Sequence, residues 1–170
     1  MPISTSNAAT VSGASWTSPT NAQGAPNGAN ATITWNLPRS ATLTLSSFSL
    51  SPALPSGALI TNISVTVRAN GNGTDVIELT PTLSTQRNTR TSGAVGGGGL
   101  ADYQISGSPD QWNLADLTSA NVGTLTFALA FAEPSAFSFV SAVDAITLNI
   151  DWTTPEGGFL SRSRGRTRSR

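Results

Sequence analysis

Two alternating stretches near the C-terminal end of the chain constrain the fold most strongly. Between residues 125 and 131, and again between 145 and 152, large apolar side chains alternate with small or polar ones. A period of two places alternate side chains on opposite faces of a β-strand. Full burial of one such side chain stabilises the fold by roughly 1.5–3 kcal/mol. We therefore predict two strands at the centre of a β-sandwich core, with eight residues facing inward: Leu125, Phe127, Leu129, Phe131, Ile146, Leu148, Ile150 and Trp152.

The composition excludes several kinds of chemistry. The 170 residues include no Cys and no His, and all nine basic residues are Arg. Disulfides, thiolate metal ligands, His-dependent triads and Lys-dependent chemistry are therefore excluded. A chain of this length suits one domain with its own core. We expect a protein that is not an enzyme and binds no cofactor, although a glycosidase that uses only carboxylates passes this test.

Charge is unevenly distributed along the chain. Charged residues make up only 11% of the sequence, and the formal net charge is zero. All nine acidic residues precede residue 157, so the chain through residue 160, with four Arg, carries a net charge of −5. The other five Arg occupy the last nine residues: Arg162, Arg164, Arg166, Arg168 and Arg170. This distribution predicts an acidic body followed by a basic tail.

Further strands are predicted at residues 31–36, 41–51, 58–69, 75–84 and 100–105. The phase of the alternation changes between Leu45 and Phe48, which predicts a bulge or a break near residues 46–47. The turn residues NGNGT at 70–74 predict a hairpin that pairs 58–69 with 75–84, where Pro81 marks an edge or an end.

Two other segments read as connections. Residues 85–99 contain four consecutive Gly and predict a flexible loop or a close-approach segment. Residues 107–119 (GSPDQWNLADLTS) are the one stretch that indicates a helical turn. Ser108 would cap that turn, and its apolar residues Trp112, Leu114 and Leu117 would face inward.

Short strands separated by turns predict an all-β chain, specifically a two-sheet β-sandwich of jelly-roll-like rather than immunoglobulin-like topology. An extended N-terminal arm or loosely held first strand is predicted at residues 1–14, the sandwich domain at 15–154 and a basic C-terminal tail at 155–170. Residues 15–30 read as an irregular loop anchored by Trp16, and Trp35 and Trp112 are predicted as further core anchors.

The N-terminus lacks the features of a signal peptide, and no stretch approaches a transmembrane helix, so we expect synthesis in a cytoplasm and no membrane partner.

Three segments together resemble the β-sandwich structural proteins of tailed-phage virions. They are SWTSPTNAQGAPNGANATITW at 15–35, LSSFSLSPALPSGALITNISVTVRAN at 45–70 and SPDQWNLADLTSANVGTLTFALAF at 108–131, and the strand AITLNIDW completes the pattern. Related sandwiches occur in head decoration (cement) proteins and in tail or fibre modules. The resemblance implies a virion structural protein and brings no catalytic residues with it. The Arg-rich C-terminal end departs from the family pattern.

The resemblance and the missing catalytic side chains favour a capsid decoration protein on the surface of the virion head. Its expected partners are the major capsid protein and copies of itself, as a homotrimer that stabilises the lattice through multivalent contacts. The five Arg of the tail are the predicted docking residues, and nucleic acid is a less favoured partner for them. The alternative is a tail or fibre module that recognises host glycans through loops 17–30, 70–74 and 85–99.

Three residue groups are weighed as sites, although no catalytic or metal site is predicted. The carboxylate pairs Asp110 with Asp116 and Asp75 with Glu78 suit a glycosidase only at suitable separations, and turn capping or solvation is the favoured interpretation. The oxygens of Asn70, Asn72 and Asp75 are of the kind that Ca²⁺ binds, but a plain hairpin is favoured. The four Trp suit a sugar-stacking platform, yet Trp35, Trp112 and Trp152 lie in apolar patterns that favour core packing. The role of Trp16 stays open.

Overall fold

The computed structural model describes residues 1–35, 41–132 and 139–154. These residues form two antiparallel β-sheets around one hydrophobic core, which confirms the predicted two-sheet β-sandwich. Sheet A contains β1 (Ile3–Asn7), β3 (Ala31–Trp35), β5 (Leu59–Asn70), β9 (Ala101–Gly107) and β11 (Phe139–Thr153). Sheet B contains β2 (Thr10–Ser12), β4 (Thr42–Ser46), β6 (Asp75–Leu83), β7 (Thr85–Gln86), β8 (Arg90–Val95) and β10 (Thr126–Ala132). Short 3₁₀ helices lie at Pro19–Ala22 and Val122–Thr124.

The two strands predicted as the centre of the fold occupy the middle of opposite sheets. β11 lies between β5 on one side and β1 and β3 on the other, and β10 lies between β4 and β6. Every one of their eight predicted inward residues is at most 8% exposed. Phe127 contacts the rings of Phe48 and Trp112 edge-on, with centroids 5.9 and 6.0 Å away. The period of two therefore identified the core correctly.

The predicted hairpin between β5 and β6 is wrong. β5 pairs with β11 and β9 in sheet A, whereas β6 pairs with β10, β7 and β8 in sheet B. Residues 71–74 therefore cross from one sheet to the other. Because both strands bury alternate side chains, they can either pair within one sheet or face each other across a core, and the alternation is the same in both arrangements.

The segment predicted as a flexible loop at 85–99 contains two strands. β8 pairs with the first half of β6 and β7 pairs with its end. β8 shows no clear strand pattern in the sequence because most of its side chains are small. It is held by pairing with β6 and by Ser92, whose Oγ accepts the Ile77 N–H at 2.9 Å. The prediction that Pro81 marks an edge or an end is wrong, because Pro81 lies inside β6 and pairs with Phe127 of β10. On its other side it falls between the β6 residues paired with β8 and those paired with β7, where a missing N–H interrupts neither ladder.

The first fourteen residues are part of the sandwich and do not form a separate arm. β1 pairs with β11 in sheet A, and β2 pairs with β4 in sheet B. Ser4 and Ser6 are buried, and their hydroxyls accept hydrogen bonds from Trp152 Nε1 and from the Ser49 backbone N–H respectively. The polarity of the segment concealed this role, because a buried hydroxyl with a partner is tolerated in a core.

The predicted interruption after Leu45 is present. β4 ends at Ser46, and Ser47 has a left-handed backbone with φ of 60°. Phe48 then returns to the core at 5% exposure. No helix in the part of the chain covered by the three described ranges is long and apolar enough to cross a membrane.

Candidate functional site

A groove lies at the end of the sandwich where β5 begins and β9 ends. One wall is the start of β5 with the residue before it, and the other is the turn segment at residues 108–118. The groove has a volume of about 510 Å³. Its lining residues are Ala58, Leu59, Ile60, Thr61, Ser108, Pro109, Asp110, Ala115, Leu117 and Thr118.

The turn segment begins with a reciprocal cap. Ser108 Oγ accepts the Gln111 N–H at 3.4 Å, and Gln111 Oε1 accepts the Ser108 N–H at 3.0 Å. The same reciprocal pattern of hydrogen bonds occurs in a capping box, in which two side chains accept the free N–H groups at the start of a turn. The predicted capping role of Ser108 is therefore correct, although the segment forms successive turns and no helix.

Trp112 fastens this wall of the groove to the core. The side chain is fully buried, and its indole N–H donates to the Ile63 carbonyl of β5 at 3.3 Å. The Arg90 guanidinium lies 5.6 Å from the ring centroid, within cation–π range. Leu114 and Leu117 are also buried, so all three predicted inward residues of the segment face the core.

Asn121 and Ser119 hold the far end of the wall. Asn121 Oδ1 accepts the Thr118 N–H at 2.7 Å, and its Nδ2 donates to the Asp116 carbonyl at 3.0 Å. The Ser119 hydroxyl accepts the Gly57 N–H at 3.2 Å, which ties the wall to the approach to β5. The groove is thus framed by hydrogen bonds at both ends and by a buried tryptophan between them.

The opposite wall owes its surface to a β-bulge. The alternation in β5 places Leu59 on the same face as the buried Ile63, yet Leu59 is 60% exposed. A register shift between Asp151 and Trp152 reverses the phase, so that Trp152 pairs with Ile60 and Thr153 with Leu59. The sequence gives no sign of this bulge, which is why sequence reasoning missed the groove.

The lining combines acceptors, hydroxyls and apolar surface. Asp110 contributes an exposed carboxylate, and Thr61, Ser108 and Thr118 contribute hydroxyls. Leu59 supplies an exposed apolar side chain beside them. Such a mixture suits a neutral ligand that carries many hydroxyls and also has C–H surface.

The predicted carboxylate pairs do not share a site. Asp110 lines the groove, whereas Asp116 accepts a hydrogen bond from Arg87 Nη2 at 2.7 Å. Asp75 is buried in the interior, and Glu78 lies on the outer face of sheet B between buried neighbours. The two carboxylates of β6 therefore lie on opposite sides of their sheet.

Of the oxygens considered for a cation, Asn72 Oδ1 and Asp75 Oδ2 accept hydrogen bonds, whereas Asp75 Oδ1 has no hydrogen-bond partner in the described ranges. Asn72 Oδ1 accepts the N–H groups of Thr74 and Asp75 at 2.8 and 3.0 Å, and the Thr74 hydroxyl at 2.9 Å. Asp75 Oδ2 accepts from Ser141 Oγ at 3.1 Å and from the Asn72 N–H at 3.3 Å. Burial raises the pKa of the Asp75 carboxyl, although these two hydrogen bonds lower it. In the described ranges, no group of three His, Cys, Asp or Glu could hold a metal ion.

The tryptophans with described side chains are buried. Trp112 is fully buried, Trp152 is 8% exposed and Trp16 is 6% exposed, with the Trp16 ring 6.0 Å from that of Phe131. These three rings pack in the core and cannot serve as an exposed sugar platform. Trp35 ends β3, but its side chain lies outside the described residues, as do the predicted docking residues Arg162, Arg164, Arg166, Arg168 and Arg170.

Comparison with known proteins gives weak structural similarities and no relative by sequence. No protein-family model matches the chain, and no curated protein matches it. It is similar to CBM35 from Cellvibrio japonicus Abf62, with 13% identity and a TM-score of 0.45 over 86% of this chain and 92% of that one. It is also similar to TmCBM61, solved with β-1,4-galactotriose, with 16% identity and a TM-score of 0.40 over 86% of this chain and 87% of that one.

A third similarity is to an enzyme, the exo-β-1,3-galactanase Pc1,3Gal43A from Phanerochaete chrysosporium, solved with β-1,3-galactotriose. The identity is 10% and the TM-score 0.33, over 85% of this chain and 27% of that one. The arrangement of the two sheets in this chain, and not these similarities, defines its fold.

Proposed function

We propose that this chain is a glycan-binding module without catalytic activity, and that the groove between β5 and residues 108–118 is its binding site. The observation that carries the proposal is the composition of the lining. An exposed carboxylate and three hydroxyls adjoin an exposed leucine. A sugar ring presents hydroxyl groups at its edge and C–H groups on its faces, so it complements both kinds of surface.

The charge of the groove favours a neutral glycan over a phosphorylated ligand. Asp110 is the charged group among the described lining residues, and no Arg is present among them. Phosphate recognition relies on Arg, Lys or free backbone N–H groups, whereas a carboxylate accepts hydrogen bonds from sugar hydroxyls. The volume of about 510 Å³ lies within the range of ligand sites and suits a short oligosaccharide.

The walls of the groove favour binding because the turn segment is already ordered before a ligand binds. Trp112, Asn121 and the reciprocal contacts of Ser108 with Gln111 fix the turn segment before any ligand arrives. A preformed site loses less conformational entropy on binding than a mobile loop. Of the loops predicted for host recognition, none is part of this lining.

The test is a glycan array with the full-length protein, followed by calorimetry with the best binder. Asp110→Asn should weaken binding by roughly tenfold or more, since a hydrogen bond to a charged group contributes about 1.5–3 kcal/mol. Leu59→Ala should weaken binding as well. Asp102→Asn, which changes an exposed carboxylate on β9, is the matched control and should bind as the wild-type protein does. An array without any binder, or equal affinities for both Asp→Asn variants, would refute the proposal.

A second candidate is decoration of a phage head, favoured by the outer face of sheet B and by the resemblance to virion proteins. Ala128, Ala130 and Ala132 lie on the outward side of β10, and the half-buried Glu78 is the ionisable residue on the outward side of β2, β4, β6 and β10. A surface of small side chains lets another protein approach closely. In this role a homotrimer would pack this face on the major capsid protein at the surface of the virion head.

Electron cryomicroscopy of particles that carry the protein tests this second candidate. Ala130→Arg should lower the occupancy on the capsid, because it places a charge and a long side chain in the contact. Gln104→Arg, on the exposed side of β9 in the other sheet, is the control. Full occupancy of Ala130→Arg, or density only at the tail, would exclude the packing of this face on the head.

A further inference from the structure

We propose that the groove also binds the basic C-terminal segment of the same chain, residues 155–170, so that this segment competes with the glycan. The competition rests on the proposed function, whereas the docking of the segment does not. Three observations support the docking: the position where the described chain ends, the lack of a basic partner for the Asp110 carboxylate of the groove within the described ranges, and the spacing of the Arg residues.

The described chain ends beside the groove. Thr153 of β11 pairs with Leu59 of β5, and Leu59 lines the groove. The last described residue is Thr154. Arg162 is eight positions after Thr154, a distance that the extended chain spans with at most about 26–29 Å, so the first Arg of the segment has this reach from the edge of the groove.

Asp110 is an exposed carboxylate without a basic partner in the described ranges. Asp102 and Asp144 both pair with Arg68, and Asp116 pairs with Arg87. Asp110 forms no such pair, and it is the carboxylate among the lining residues of the groove. An Arg guanidinium can donate two parallel hydrogen bonds to a carboxylate, which makes Asp110 a suitable docking point.

The sequence of the segment spaces its Arg residues regularly. Arg alternates with Ser, Gly or Thr from residue 161 to residue 170 (SRSRGRTRSR). In an extended conformation this spacing places all five Arg on one side, and the small residues between them add little bulk. The segment carries five positive charges against the net charge of −5 on the chain before it.

Covalent attachment favours the chain's own segment over other occupants. A short flexible linker holds its end group at an effective concentration on the order of millimolar, so even a weak contact is populated. A second copy in solution would need a much higher affinity to reach the same occupancy. The chain's own segment is therefore the occupant to which the proposal commits.

The experiment uses a fluorescein-labelled peptide with the sequence of residues 155–170 and measures its anisotropy with full-length protein. The receiving protein carries Arg162→Gln, Arg164→Gln, Arg166→Gln, Arg168→Gln and Arg170→Gln, which leaves the groove free of its own Arg. We expect this protein to bind the peptide at least tenfold more tightly than the wild-type protein does. Adding Asp110→Asn should reduce the binding at least tenfold, whereas adding Asp102→Asn should not. High salt should weaken the contact, since exposed charges are screened.

Two results would overturn the docking. One is peptide binding that Asp110→Asn leaves unchanged, and the other is equal binding by the wild-type and five-Gln proteins. If equal binding occurs and the wild-type protein alone associates with rising concentration in sedimentation, the segment docks on a second copy and the commitment to the same chain is wrong.

Glycan affinity separates this inference from the proposed function. If the protein with the five Arg→Gln substitutions binds the best glycan more tightly than the wild-type protein does, the result supports both the glycan site and the competition by the C-terminal segment. Peptide binding that depends on Asp110, together with an array without any binder, supports the docking and refutes the glycan site. Equal glycan affinity of the two proteins refutes the competition and leaves the glycan site standing.

Discussion

Trp152 donates its indole N–H to the hydroxyl oxygen of Ser4 at 2.9 Å, and so joins residues 148 positions apart in the chain. Trp152 is 8% exposed and Ser4 is fully buried. The hydrogen bond lies where β1 runs antiparallel to β11, close to the end of β11 that leads to the groove. The first strand of the chain therefore fastens the strand from which the basic segment continues.

Ser4→Ala should destabilise the protein by about 1–3 kcal/mol, because the buried Trp152 N–H loses its acceptor. The free energy of unfolding in urea measures this change. Ser12→Ala, at an exposed position of β2, is the control and should stay within about 0.5 kcal/mol of the wild-type protein. Equal stability of the two variants would mean that the hydrogen bond contributes nothing.

Gly71→Ala should destabilise the protein by about 1–3 kcal/mol through overpacking. A Cβ at residue 71 would lie 2.8 Å from Asp75 Oδ2 and 3.0 Å from both Cγ1 and the carbonyl oxygen of Val95. Gly93→Ala is the matched control, because a Cβ there meets nothing within 4 Å. That variant should be neutral or slightly stabilising, since Ala restricts the unfolded chain more than Gly does. Thermal unfolding of both proteins tests the contrast, which an equal loss in the two would contradict.

Asp75→Asn should remove a pH dependence of stability. Burial raises the pKa of Asp75 above its ordinary value of 3.8, so the folded protein binds this proton more tightly than the unfolded chain does. The free energy of unfolding of the wild-type protein then falls as the pH rises from 3.8 towards the folded-state pKa. The Asn variant keeps an oxygen that accepts from the Ser141 hydroxyl and the Asn72 N–H. Its amide does not titrate, so it contributes no pH dependence to the free energy of unfolding.

Urea unfolding of both proteins between about pH 3 and pH 7 checks this sign, over a range that spans the ordinary pKa of a carboxyl group. The stability of Asp75→Asn relative to the wild-type protein should rise with pH over that window. Asp110→Asn, which changes an exposed carboxylate, serves as the control. If the free energies of unfolding of Asp75→Asn and the wild-type protein change with pH in parallel, burial does not raise the pKa of the Asp75 carboxyl.

Trp112→Phe should cost about 1 kcal/mol more than Trp16→Phe. Both substitutions shrink a buried indole to a phenyl ring, but only Trp112 loses a hydrogen bond that the structure records, the one to the Ile63 carbonyl at 3.3 Å. The Trp16 indole N–H has no hydrogen-bond partner within the described ranges. Chemical denaturation measures the difference, and a greater loss for Trp16→Phe would contradict it. Glycan affinity should also fall for Trp112→Phe alone, because this ring positions one wall of the groove.

The alternation of apolar and polar residues identified the core residues correctly, but it did not identify which strands pair with each other. Phe127, Phe131, Leu148 and Ile150 are buried as their alternation requires. The turn at residues 70–74 was recognised as a turn, but it links two sheets and does not close a hairpin. Turn residues determine where a chain can reverse, whereas the partner of each strand depends on distant residues that local sequence does not identify.

The candidate site shows the same division. The capping role of Ser108 and the inward position of Trp112 follow from the sequence, since both depend on neighbours a few residues away. The exposure of Leu59 depends on a bulge between β5 and β11, whose paired residues are about ninety positions apart. No local pattern predicts that contact, so the groove itself was not predicted.

The sequence by itself determined the all-β class, the identity of the buried apolar residues, the absence of Cys, His and Lys, and the separation of the acidic residues from the Arg-rich end. These properties follow from composition and from a period of two, which act over a few residues. Only the tertiary structure decided that β5 and β6 lie in different sheets, that polar Ser4 is buried against Trp152, and that Leu59 and Asp110 meet at one groove. Each of these depends on long-range strand pairing, which forms only when the whole core assembles.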